Sequence, residues 1–137
     1  MPDDDITACL QAHAAARPTA PVFSAPSRMP MTWGSLAQRV RDARGRLASW
    51  GIERGDVLAA AVPDRVECAA TLAILPASST LALFDPTLSV DDFVALIRRV
   101  GAKAAVVPAG GNHALREAAR RLGVAEVEMA PDGSAEA

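Results

Sequence analysis

Apolar positions along this chain recur at intervals of three or four, then run together, and these changes of period divide it into elements. Over 36–50, Leu36, Val40, Ala43, Leu47 and Trp50 fall on one helical stripe, while Arg39, Arg41, Arg44 and Arg46 lie largely around the rest of the cylinder. Gly51 supplies the stop. Upstream, 5–16 predicts a helix opened by acidic residues that favour its positive end and closed by Arg17-Pro18. Val22-Phe23 and Met31-Thr32-Trp33, joined across 24–30, predict a small hairpin. Downstream the pattern alternates. The unbroken apolar run 57–63 suits a strand buried on both faces. A helix over 65–75 follows, then a strand over 80–84 and a helix over 90–99 with Phe93, Leu96, Ile97 and Val100 on one side. A strand over 103–107, a helix over 112–122 burying Leu115, Ala118, Ala119 and Leu122, and a last strand over 124–127 complete the series.

Strands alternating with helices of this length imply right-handed βαβ units. The expected fold is therefore α/β: a mainly parallel sheet with helices on both faces, preceded by a helix and a small hairpin. Residues 1–129 read as one domain and 130–137 as a flexible tail. The helix over 65–75 poses a packing problem. Val66, Ala69, Ala70, Leu72, Ala73, Ile74 and Leu75 surround it, and a sheet covers only one side. An apolar surface left open in this way is unusual for a soluble monomer. A homodimer is expected, paired through this helix or an uncovered sheet edge, with Val66, Ala69, Leu72, Ala73 and Ile74 as interface candidates.

Composition narrows the function classes. A chain of 137 residues makes one domain, half its residues are hydrophobic, and aromatics are only 4% with no tyrosine. The net charge is −2 and the arginines are dispersed, which argues against nucleic acid as a partner. The acidic N-terminus does not read as a signal peptide. Pro63 and Pro76 interrupt the longest apolar runs, so no membrane span is expected and the predicted location is cytoplasmic. Cys9 and Cys68 lack paired spacing and a histidine cluster, which predicts buried free thiols and no metal site.

Few positions invite chemistry. Gly110-Gly111-Asn112, between a strand and a helix, could present N–H groups to a phosphate. The spacing matches neither a dinucleotide fingerprint nor a P-loop, and a turn capped by Asn112 explains it as well or better. His13 and His113 read as solvated or locally satisfied histidines rather than as ligands. Ser89 and Asp92 have the spacing of a helix cap rather than of an acid–base pair. Ser78-Ser79 lack a His–Asp partner, and Cys68 reads as core.

Taken in order, several short motifs resemble the start of the adenylate-forming superfamily, which comprises acyl- and aryl-CoA synthetases, nonribosomal peptide adenylation domains and luciferases. Thr32-Trp33-Gly34-Ser35-Leu36 is similar to its T-Y-x-E-L, and Gly51 to Val57 to its G-(V/I)-x-x-G-D-x-V turn. Ala61-Val62-Pro63-Asp64 resembles its strand ending in P-N, and Leu83 to Leu88 its P-L-(N/D)-P-x-L. The departures fall at turns: Pro76-Ala77-Ser78 lacks the family's glycine step, Leu83 replaces a proline and Ser35 a glutamate. The resemblance covers about 6–107 and implies a truncated N-terminal piece of an AMP-forming ligase. The family's phosphate loop ending in P-K-G, Y-G-x-T-E segment, ribose-binding Asp and lid lysine have no counterpart here, and Lys103 is the single lysine. The resemblance thus implies no catalytic residue in this chain. It also implies no cofactor for the chain alone, with ATP, Mg and CoA or a carrier protein entering only if missing parts complete the enzyme. A complementary ligase chain or a second copy is the expected partner. A protein-interaction scaffold beside a biosynthetic assembly line and a small nucleotide-binding domain are the alternatives.

Overall fold

The run 57–63 forms the centre of the molecule. In the computed structural model, which describes residues 6–26, 29–129 and 135–136, Val57–Ala60 is strand β3, flanked on both sides by parallel neighbours. Before it come helix α1 (Ile6–Ala16), a two-stranded antiparallel ribbon of β1 (Pro21–Phe23) and β2 (Met31–Thr32), and helix α2 (Trp33–Ser49). After it come α3 (Arg65–Ile74), β4 (Thr80–Leu83), α4 (Val90–Val100), β5 (Ala104–Pro108), α5 (His113–Leu122), β6 (Ala125–Met129) and β7 (Ala135–Glu136). The sheet order is β4-β3-β5-β6-β7, parallel except for β7.

Alternation along the central strands explains why both faces needed apolar residues. Leu58, Ala60, Ala104, Val106 and Val127 pack with α1, α2 and α3 on one face. Ala59, Ala61, Ala105 and Val107 pack with Phe93, Ile97, Leu115 and Ala118 of α4 and α5 on the other. The small side chains on the sheet let helices approach closely, and Phe93, Leu36 and Leu47 fill what remains.

Four expectations need correction. Trp33 opens α2 rather than ending the hairpin, because Thr32 Oγ1 accepts from Ser35 N at 3.1 Å and caps the helix there. The ladder of β3 ends at Ala60, not at residue 63, although Ala61 and Val62 remain buried. Ile74 is 0% exposed and belongs to the chain's own core, so it is not an available interface residue. Cys9 is exposed and Cys68 half-buried, so neither is a core thiol. Of the remaining interface candidates, Leu72 is 46% exposed, while Val66, Ala69 and Ala73 are half-buried. Within the expected tail, Ala135–Glu136 pair antiparallel with β6; the rest of it, and acidic Asp3 to Asp5, lie outside the described residues. No helix among the described residues is long and apolar enough to cross a membrane.

Candidate functional site

Strand order places a crevice at one edge of the sheet. From β3 the chain crosses outward through α3 to β4, and from β4 it returns past β3 through α4 to β5. The helices after β3 and β4 thus diverge to opposite faces, and ligands of such sheets bind where this happens, beyond the strand carboxyl ends. A groove of about 450 Å³ lies there. Val62 after β3, Pro108 of β5 and Met129 of β6 line it from the sheet, Val66 and Thr71 from α3, and Phe23, Met29 and Met31 from the ribbon. Met29 is 95% exposed at its mouth.

Arg39 and Glu67 give the groove its charge. Arg39, half-buried on α2, places Nη1 4.0 Å from Met31 Sδ, a weak acceptor for a guanidinium. Thr71 donates its hydroxyl proton to the Glu67 carbonyl at 2.7 Å. The described lining holds no histidine, cysteine or lysine. It can enclose an apolar segment and meet one charge of each sign, but it offers no nucleophile–base pair. Sequence reasoning missed this groove because its walls come from the ribbon, two helices and three strand ends, which no local pattern connects. Of the interface and ligand-binding candidates proposed from sequence, Val66 is the one that lines it.

Gly110-Gly111-Asn112 lies at the carboxyl end of β5, where the Gly111 N–H and carbonyl and the Asn112 side chain are engaged by neighbouring groups of the protein. Gly111 N donates to the Pro108 carbonyl at 3.0 Å, and Leu115 N to Asn112 Oδ1 at 3.0 Å. Arg116 Nε holds the Gly111 carbonyl at 2.9 Å, and its Nη2 reaches the Pro108 carbonyl and Glu128, each at 3.2 Å. A Cβ on Gly111 would lie 2.7 Å from Pro108 Cγ, so the turn requires glycine for packing. These contacts describe a βα turn with a capped helix.

The other polar candidates also have local roles. Ser89 caps α4 through Asp92 N at 3.2 Å, and its hydroxyl pairs with Asp92 Oδ2 at 2.9 Å. His13 stacks on Trp33 with ring centroids 4.6 Å apart. Ser79 donates to the Leu75 carbonyl at 2.9 Å. Asp85 accepts from Thr87 Oγ1 at 2.7 Å and Thr87 N at 2.8 Å, and these bonds hold its carboxyl below the ordinary 3.8. Lys103 sits at the opposite, amino edge of the sheet, its Nζ 2.6 Å from the Gly51 carbonyl and 3.0 Å from Asp56 Oδ2. The Glu53 N–H first, then Lys103, hold the Asp56 carboxyl below 3.8. No cluster of metal-ligating side chains occurs among the described residues.

The architecture is thus an open, mainly parallel α/β sheet with a helix and ribbon ahead of it and a groove at its carboxyl edge. The chain belongs to the AMP-binding enzyme family, whose model matches residues 10–136. Its fold is similar to that of apo MatB from Rhodopseudomonas palustris (TM-score 0.76, 17% identity), of which it covers 26% with 95% of its own length. It is likewise similar to Coronafacic Acid Ligase from Pectobacterium brasiliense (TM-score 0.78, 15% identity), covering 26% of that chain with 93% of its own. For the inhibitor-bound N-terminal domain of FACL13 from Mycobacterium tuberculosis (TM-score 0.76, 18% identity) the shares are 34% and 94%. The chain therefore spans about a quarter to a third of the solved structures it matches. No curated protein sequence matches it.

Proposed function

We propose that this chain is the N-terminal piece of an AMP-forming ligase for an acyl, aryl or amino acid, inactive by itself, whose chemistry depends on another polypeptide. The observation that carries this reading is the disparity in coverage: almost the whole chain superposes on family members, yet on only 26% of MatB. Coronafacic Acid Ligase carries a carboxylic acid in its name, which supports an acid as the substrate. The side chains support a dependent role. Lys103, the single lysine, is tied to Asp56 and the Gly51 carbonyl at the edge remote from the groove, and the chain has no tyrosine. ATP with Mg, and CoA or a carrier protein as acyl acceptor, belong to the completed enzyme in this reading, in the cytoplasm.

Acid-dependent exchange of pyrophosphate into ATP tests it. The purified chain with Mg should give no more exchange than a heat-killed control across fatty, aromatic and amino acids. Addition of the polypeptide encoded directly downstream should restore exchange if that polypeptide carries the phosphate loop and lid lysine. Exchange by the chain alone would overturn the reading.

A further inference from the structure

We draw no further inference here: the strongest candidate, the groove at the carboxyl edge of the sheet with the half-buried Arg39 guanidinium beside Met31 in its wall, belongs to the site already described, and nothing in the structure shows what covers it.

Discussion

Asn112 shows how one residue satisfies two local demands. Its φ of 46° lies in the left-handed region that asparagine tolerates better than most residues, and its Oδ1 caps α5 at Leu115 N. Asn112→Ala loses the cap and keeps the backbone demand, so it should cost about 1–2 kcal/mol for the cap and strain together. Asn112→Gly keeps the conformation and should cost only a few tenths of a kcal/mol by the usual ranking of cap residues. Urea denaturation of the two variants measures the difference, and equal losses would show that the φ angle contributes nothing. The cap was legible because it is encoded within four residues. The neighbouring clash that excludes a side chain at Gly111 was not, since it depends on how the Pro108 ring folds back over the turn.

Helix α3 shows what an element reveals only after packing. Its sequence is apolar nearly all round, so sequence alone treated Leu72 and Ile74 as equivalent interface residues. In the fold they differ sharply: Ile74 is 0% exposed between the sheet and α2, and Leu72 is 46% exposed. Ile74→Ala should cost about 2–5 kcal/mol, the usual range for emptying a packed site. Leu72→Ala should stay within about 1 kcal/mol, since it removes little buried surface. Chemical denaturation reads both, and similar losses would mean that the outer face of α3 is also covered in solution. The start of α3 was readable, because Asp64 stands just before the apolar run and accepts from Val66 N and Glu67 N. Its end was only partly readable, since Pro76 stops the α-helix but leaves a 3-10 turn over Leu75–Ala77.

At the scale of the molecule, carboxylates brace the two ends of the sheet. Asp56 ties the start of β3 to Lys103 before β5, and Asp85 shapes the turn after β4. Both are held below 3.8 when folded, so their contribution is fully present above that pH and is lost as pH falls through their lowered values. The urea midpoint should therefore decline below about pH 3.8 and continue to decline through the folded-state values. Asp56→Asn should lower the midpoint at pH 7 and flatten the acid limb; an unchanged acid limb would remove Asp56 from the explanation.

The sequence by itself determined the alternation of strands and helices, the parallel sheet buried on both faces, the caps of α4 and α5 and the family. These rest on periods and spacings within a few residues, which the backbone imposes locally. The tertiary structure alone decided which side of α3 faces solvent, which strand lies at the sheet edge, and that the ribbon, α2, α3 and three strand ends meet in one groove. Strand order is the reason. β5 docks beside β3 rather than β4, and that crossover brings the ends of β3, β5 and β6 together at the groove and, among the described residues, leaves β4 at the edge of the sheet.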